Sequence, residues 1–351
     1  MSNNPVDVNE EGAGPVPVLV VFAPTACGKT RLALELFGKY SSSPFAGKVE
    51  LISADSMQVY RGMNIGTAKP SSQELLQLPH HLVDIQNPDQ AFSVGEFVRH
   101  SDQLCQEIVE RKHIPLVLGG TGFYIRNFLC GLPTTPQADP HLRLELQQRL
   151  AQEGAEALYH QLQQLDPVAA QRIHPNDHYR ILRSLEVSLA SGRPQSSFNL
   201  SPQLRSQFKF CIIILWRERQ ELYQRIDARV AQMMEEGLPQ EVASLVASGY
   251  KEEDPGMQAI GYQEFLLNQE FMSVAKLINS PISPDSFQES FASVDFHSIQ
   301  ELICRNSRRY AKRQYTYFRG IPNATYFHAQ DEVAVQSHIG KFLESSFPLL
   351  T

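Results

Sequence analysis

The chain has 351 residues, 42% of them hydrophobic, and a formal charge of −7 at pH 7. That apolar content excludes a disordered protein, and the length points to a core with an insertion or a second lobe. The net acidity excludes a global basic field, so any nucleic-acid contact must rest on local patches.

Residues 1–15 contain no Lys or Arg and read as a polar, acidic, Gly/Pro-rich disordered tail. They lack the basic start of a secretory signal and the Arg richness of a transit peptide. No apolar run approaches the length of a membrane span, so no membrane partner is expected. The five cysteines (Cys27, Cys105, Cys130, Cys211, Cys304) are odd in number, scattered and without C-x-x-C spacing. That fits reduced thiols in a cytoplasmic protein, not disulfides or a zinc site.

The apolar run Val18 to Phe22 predicts a strand, and Leu32 to Leu36 lies in a predicted helix. Between them stands Ala23-Pro24-Thr25-Ala26-Cys27-Gly28-Lys29-Thr30, which fits G-x-x-x-x-G-K-[ST] except that Ala23 replaces the first glycine. Strand, tight loop and helix are the setting a phosphate-binding loop needs. Unpaired N–H groups at the helix start, the helix dipole and the Lys29 charge attract a di- or triphosphate, and the Thr30 hydroxyl can ligate Mg²⁺.

Val49 to Ser53 reads as a second strand running into Ala54-Asp55-Ser56-Met57-Gln58. Residues just past strand ends line the ligand crevice of an open parallel sheet, so Asp55 is a candidate base or orienting acid, or else a helix N-cap. Arg61 to Pro70 is loop-like, with two glycines and basic groups to carry phosphate or cover the site. His80 to Ile85 reads as a short strand, with His80 and His81 as packing or surface residues. Ser93 to Arg111 reads as a helix. Ile114 to Leu118 forms a third buried strand ending in Gly119-Gly120-Thr121. A Walker-B strand would end in an Asp that helps hold Mg²⁺, so this ending argues against an ordinary ATPase or GTPase. The glycines suggest a close approach of backbone to ligand, and Thr121 is either a hydrogen-bond donor there or a turn residue.

From about Gly131 to Ser206 the composition becomes Gln-, Leu- and Arg-rich, with Leu142, Leu146 and Leu150 spaced four apart. This reads as a helical insertion. Arg180 and Arg183 share a helix face, either to clamp phosphates or simply to face water. Phe208 to Trp216 returns the chain to the sheet, and Glu221 to Gly237 is an amphipathic helix with Leu222, Ile226, Val230 and Met233 inward. Gly256 to Tyr262 reads as a loop entering a helix, and Asn279 to about Phe296 as a variable loop. A final helix, about Ile299 to Arg319, carries Arg305, Arg308, Arg309, Lys312, Arg313 and Arg319 with interleaved Tyr310, Tyr315, Tyr317 and Phe318. On an acidic protein that mixture suggests a local polyanion contact; the other reading is aromatics in the core and basic groups in water.

The motifs PTACGKT, SADSMQVYRGMNIGTAKP, PHHLVDI, IPLVLGGTGFYI, LDPVAAQRIHPND, RSLEV, QAIGYQEF and RRYAKRQYTYFR come in one order from Val18 to about Gly320. This chain resembles the tRNA dimethylallyltransferases, also called isopentenyl-diphosphate:tRNA transferases. The resemblance implies an α/β fold: a P-loop NTPase-like parallel-sheet core formed by residues 16–130 and 207–351, with a tRNA-binding helical domain inserted at 131–206. It also implies transfer of a dimethylallyl group from its diphosphate to N6 of the adenosine 3′ of the anticodon, with Mg²⁺ required and diphosphate released. The loop would then hold a diphosphate, which accounts for the missing Walker-B Asp.

Carried over by resemblance, Ala23 to Thr30 bind the diphosphate and Thr30 its Mg²⁺. Asp55 is the general base for the adenine amine, and Thr121 stands beside the substrates. Asp55, Ser56, Met57 and Gln58 contact tRNA, as do Tyr179, Arg180 and Arg183 of the insertion and Arg309, Lys312 and Arg313 of the basic helix. The adenine is expected to flip out of the anticodon loop. The protein is expected to act as a monomer on tRNA and dimethylallyl diphosphate.

Three departures bear on these expectations. Ala23 and Cys27 replace the usual Gly and Ser of the loop, and Cys27 weakens a side-chain hydrogen bond to phosphate. Gln258 stands where some members carry Arg; Arg126 or a basic residue of the Arg61 to Lys69 loop would then supply the charge. Competing readings are an adenylate isopentenyltransferase, a P-loop small-molecule kinase and an inactive RNA-binding protein. The insertion and the basic helix disfavour the first, and the missing Walker-B Asp the second.

Overall fold

A computed structural model of the chain describes residues 14–136, 139–198, 201–277 and 284–346. Apart from Gly14 and Pro15, the expected disordered tail lies outside the described residues. The contacts divide the chain into two units, with Cys130–Leu204 as one and the segments on either side of it as the other.

The larger unit begins with β1 (Val16–Phe22), α1 (Lys29–Phe37), β2 (Val49–Ala54), α2 (Ser72–Gln77), β3 (His80–His81), α3 (Val94–Glu110), β4 (Ile114–Gly119) and α4 (Gly122–Cys130). The smaller unit holds α5 (Pro140–Leu165), α6 (Pro167–Arg172) and α7 (His178–Ser191). The chain then continues through β5 (Phe208–Trp216), α8 (Arg219–Glu235), α9 (Leu238–Ala247), α10 (Gln263–Leu266), α11 (Gln269–Ala275), α12 (Pro284–Ser290), α13 (Phe296–Phe318), β6 (Thr325–His328) and α14 (Glu332–Ser346).

The sheet order is β3-β2-β4-β1-β5-β6 and every pairing is parallel. Parallel strands covered by helices on both faces need apolar residues throughout. Accordingly all of β2 and β4 is buried, as is β1 from Pro17 onward. Phe22 and Phe318 meet edge-on at 5.2 Å, which fastens α13 to the sheet. Burying one such ring contributes roughly 1.5–3 kcal/mol.

In the smaller unit, Leu146, Leu158, Leu162, Ala169, Ala170, Ile181 and Leu185 form its own core. Gly154 interrupts α5 with φ 83° and kinks it. Asp166 is fully buried and caps α6 by accepting from Ala169 N, while Ser196 donates to it through both N and Oγ. A buried carboxylate with this many donors is satisfied, not functional.

Two expectations fail locally. The strand expected over His80 to Ile85 stops after two residues, because Leu82 and Asp84 are left-handed at φ 62° and 56°. The supposed loop between Asn279 and Phe296 contains α12, while 279–283 lie outside the described residues. Phe287 and Phe291, four residues apart, stack at 4.2 Å, and Phe291 meets Phe271 of α11 at 5.1 Å. Aromatic spacing of one helical turn outweighed the Ser and Pro content. The sequence reading also passed over β6 and α14, whose four-residue strand carries little pattern.

Candidate active site

At the carboxyl ends of β2, β4, β1 and β5 the chain leaves the sheet at Asp55, Gly120, Ala23 and Arg217. These strands are consecutive in the sheet, so the four exits are neighbours at the edge where open parallel sheets bind ligands.

Ala23 to Gly28 joins β1 to α1. Gly28 is the helix N-cap with φ 105° and no side-chain cap, a left-handed conformation that favours glycine and leaves the first N–H groups of α1 without a capping acceptor. Ala23 is fully buried and is not among the left-handed residues; its N–H donates to Gly119 O at 3.3 Å. The glycine demanded by the pattern is therefore unnecessary at this position. Cys27 is also fully buried, and burial pushes its thiol up to about 11 against the nearby Arg217 and Lys29 charges. Its side chain is a neutral packing group.

Three arginines brace this loop, and none was picked out from the sequence. Arg217 Nε donates to Cys27 O at 2.7 Å, Arg225 Nε to Ala26 O at 2.8 Å, and Arg229 Nη1 to Thr25 Oγ1 at 3.4 Å. Arg217 also pairs with Glu221 at 2.5 Å. A methyl group on Gly28 would sit 3.6 Å from Arg217 Nη2 and 3.9 Å from Arg225 Nη2, so both guanidinium tips reach the helix start. Burial lowers Lys29 from its ordinary range, the Asp55 carboxylate opposes that and Arg229 adds to it; Arg229 is lowered by burial against Asp55. Four cations thus gather at a half-buried loop, Arg225 from its exposed side, with Asp55 and Glu221 as opposing carboxylates. An arriving anion relieves that imbalance. The signal existed: Arg217 follows a strand end as Asp55 does, and Arg225 and Arg229 lie one turn apart on the next helix.

Asp55 accepts from Met57 N at 3.0 Å. Thr121 Oγ1 accepts from Ser56 N at 3.0 Å and lies 3.3 Å from Ser56 Oγ, tying the ends of β2 and β4 together. Tyr310 bonds to Thr121 and Gln314, and burial with the Asp55 charge pushes its phenol up to about 12. Gln314 is buried; its Oε1 accepts from Thr25 N at 3.1 Å and its Nε2 donates to Gly120 O at 2.7 Å. A methyl group on Gly120 would lie 2.5 Å from Gln314 Nε2, and one on Gly119 2.1 Å from Ala54 O. Those glycines admit neighbouring protein groups.

Helix α13 has two faces. Tyr310, Gln314 and Phe318 look inward, while Arg309, Lys312, Arg313 and Thr316 share the opposite face at helical spacing. With Arg126 and Tyr317 the latter line a cavity of about 600 Å³, and Arg126 lies over the Tyr317 ring at 6.0 Å. The packing reading thus holds on the inner side, while on the outer side Arg309, Lys312 and Arg313 are exposed.

Other candidate cations are already engaged. Lys69 Nζ donates to Tyr60 O, Asn64 Oδ1 and Asp84 Oδ1 at 2.7, 2.9 and 2.5 Å, and Arg61 donates to Asn87. Gln258 itself is exposed and donates to Glu253 O. In the smaller unit, Arg180 pairs with Asp177 at 2.7 Å and Arg183 with the buried Glu186 at 3.0 Å. Their pairing weakens the case for a two-Arg phosphate clamp. Tyr179 is 67% exposed, with Arg143 over its ring at 5.8 Å.

Among the described residues no three His, Cys, Asp or Glu side chains converge on a metal site. The side-chain oxygens near the phosphate loop include the Thr25 and Thr30 hydroxyls and the Asp55 carboxylate, while Glu221 is taken up by Arg217. So sparse a set fits a Mg²⁺ that takes most of its ligands from diphosphate and water.

Residues 58–321 match the family described as IPP transferase. The chain is 39% identical over 319 residues to tRNA dimethylallyltransferase 1 of Syntrophotalea carbinolica, covering 91% of this chain and 93% of that one. It is 40% identical over 329 residues to the tRNA dimethylallyltransferase of Desulfotalea psychrophila, covering 93% and 96%. Among solved structures, the tRNA isopentenylpyrophosphate transferase of Bacillus halodurans matches with TM-score 0.61 at 34% identity, covering 95% of this chain and 99% of that one. A eukaryotic dimethylallyltransferase acting on tRNA shares the fold with TM-score 0.67 at 24% identity, covering 93% and 77%. With the family match over residues 58–321 and relatives near 40% identical over some nine tenths of the chain, this chain belongs to the IPP transferase family.

Proposed function

We propose that this chain, acting as a monomer in the cytoplasm, transfers a dimethylallyl group from dimethylallyl diphosphate to N6 of the adenosine 3′ of the anticodon in tRNA, using the sheet edge just described. The observation that carries this is a half-buried loop ringed by Lys29, Arg217, Arg225 and Arg229, with Asp55 at the end of a nearby strand. The cations suit a diphosphate leaving group, and Asp55 suits an amine nucleophile.

In the transfer, the allylic carbon–oxygen bond breaks and its electron pair leaves with the diphosphate. Preorganised N–H groups of the loop and the four cations stabilise that developing charge. The N6 lone pair bonds to the allylic carbon, and Asp55 takes the proton that N6 releases. Thr121, held by Ser56 and Tyr310, fixes the wall beside Asp55. Thr30 would help hold a magnesium ion, which when bound would supply further charge neutralisation on the leaving group. The basic face of α13, through Arg309, Lys312 and Arg313, takes the tRNA backbone together with Ser56, Met57 and Gln58. Residues 131–206, with Tyr179, Arg180 and Arg183, are proposed as the tRNA-binding insertion; aromatic exposure at Tyr179 supports it better than the paired arginines do.

Incubation with labelled dimethylallyl diphosphate, Mg²⁺ and either unmodified tRNA, AMP or ATP tests the reading. Label is expected in tRNA. Label in the free nucleotide alone would overturn it in favour of an adenylate isopentenyltransferase, and no label in any acceptor would remove the transferase reading.

A further inference from the structure

The segment from Met63 to Asp84 is held in a conformation it does not favour. Ala68, Leu82 and Asp84 are left-handed without being glycine, three of the six such residues among those described. Strain of this kind persists only where surroundings over-determine it, and it collects at functional sites. One carboxylate holds Asn64 to Gly66, just before Ala68. Glu241 Oε2 accepts from Asn64 N and Ile65 N, both at 2.9 Å. Its Oε1 accepts from Ile65 N at 3.1 Å, Gly66 N at 3.2 Å and Tyr262 Oη at 2.6 Å. Tyr262 is fully buried, and burial with the Glu241 charge keeps it a phenol that donates. A methyl group on Gly66 would fall 2.5 Å from the Tyr262 ring, so the loop lies flat on that ring.

The held loop in turn holds Gln58. Gln58 Nε2 donates to Thr67 O at 3.3 Å and Ala68 O at 3.1 Å, and its Oε1 accepts from Ser53 Oγ at 3.0 Å. Asp55, Ser56 and Met57 lie between Ser53 and Gln58. The wall that presents Asp55 is therefore pinned at both ends, and the outer pin depends on the loop. We propose that Glu241, with Tyr262 as its fixed donor, is a positioning residue for the transfer: it clamps Asn64 to Gly66 and, through Gln58, sets the Asp55 to Met57 wall against which the acceptor adenosine is presented. This rests on Asp55 acting as the base of the proposed transfer. The diphosphate loop is braced separately, by α8 and Gln314, so the clamp acts on the acceptor side.

Glu241→Gln and Tyr262→Phe test it. Each is assayed for steady-state transfer to a tRNA anticodon stem-loop, for binding of dimethylallyl diphosphate by calorimetry, and for hydrogen exchange over residues 57–69. Expected for Glu241→Gln is a kcat at least tenfold lower, dimethylallyl diphosphate affinity within twofold, and faster exchange at Asn64 to Gly66. Tyr262→Phe shifts the same readouts in the same direction by less, and carries the test if Glu241→Gln does not fold. Exchange unchanged at Asn64 to Gly66, kcat within twofold, or equal losses in diphosphate binding and kcat would each overturn the clamp. If the unaltered protein transfers nothing, the transferase reading has failed, and the exchange measurement alone still decides whether Glu241 holds the loop.

Discussion

Strand β2 carries a carboxylate at each end, Glu50 near its start and Asp55 just past its finish, and the fold treats them oppositely. Glu50 receives Arg111 Nε and Nη2 at 3.1 and 2.8 Å, and the rings of His81 and His113 lie within 2.7 Å of it. Burial alone would raise its pKa, but these bonds win and hold the carboxyl at about 2. Asp55 receives one backbone N–H, and shares its field with Lys29, Arg229 and Tyr310. The first network is closed: its charge is spent inside the protein. The second has more cations than carboxylates and leaves the proposed base with one backbone donor. Two equally polar clusters on one strand therefore separate into scaffold and chemistry by charge balance, not by residue type.

The comparison is tested most severely at Asp55. Asp55→Asn should lower kcat by about 10²–10⁴, the usual worth of a positioned proton acceptor, while dimethylallyl diphosphate still binds. Single-turnover transfer to tRNA with a parallel binding measurement decides it, and full turnover in the variant would put Asp55 on the same footing as Glu50. The next effect is at Lys29. Removing one charge-assisted contact costs about 1.5–3 kcal/mol, so Lys29→Ala should weaken dimethylallyl diphosphate about 10–100-fold. Unchanged affinity in that titration would mean the cation cluster is as self-contained as the Glu50 network. Gln314→Leu comes third. It strands the half-buried Thr25 N–H and the buried Gly120 C=O, which Gln314 now satisfies, at a cost of about 1–3 kcal/mol in urea unfolding. A loss of diphosphate affinity should accompany it, since Thr25 belongs to the loop.

How far the sequence could be read follows the same division. Strands β1, β2, β4 and β5 announce themselves as unbroken apolar runs, because a parallel sheet buried on both faces permits nothing else. The loop at Gly28-Lys29-Thr30 and the strand-end positions Asp55 and Thr121 were legible because a local rule fixes them. Arg217, Arg225 and Arg229 were harder, since their role exists only once β5 lies beside β1. Gln314 was invisible: nothing in RRYAKRQYTYFR says that one side chain turns inward to bridge Thr25 and Gly120. Arg180, Arg183 and Lys69 show the converse limit. A basic residue in a sequence shows its charge but not the carboxylate that will neutralise it, here Asp177, Glu186 and Asp84.

The smallest effect is the most specific test of the closed network. Glu50 has an ordinary value of 4.5 and a folded value of about 2, and its side chain is 7% exposed. A carboxyl lowered on folding stabilises the protein fully above its unfolded value and loses that contribution as pH falls through the folded one. The whole contribution is about 3 kcal/mol, and roughly 1 kcal/mol of it is lost between pH 7 and pH 4. Glu50→Gln cannot titrate there, so its urea-unfolding free energy should fall less steeply than that of the unaltered protein over that interval. It should also be lower at pH 7, because Arg111 loses its buried counter-charge. Dimethylallyl diphosphate affinity should not move, since the phosphate loop lies at the opposite edge of the sheet. An identical pH slope in the two proteins would mean that Glu50 is not held by its three partners as described. A shifted affinity would mean that the two ends of β2 are coupled, and the separation between scaffold and chemistry would then fail along the strand itself.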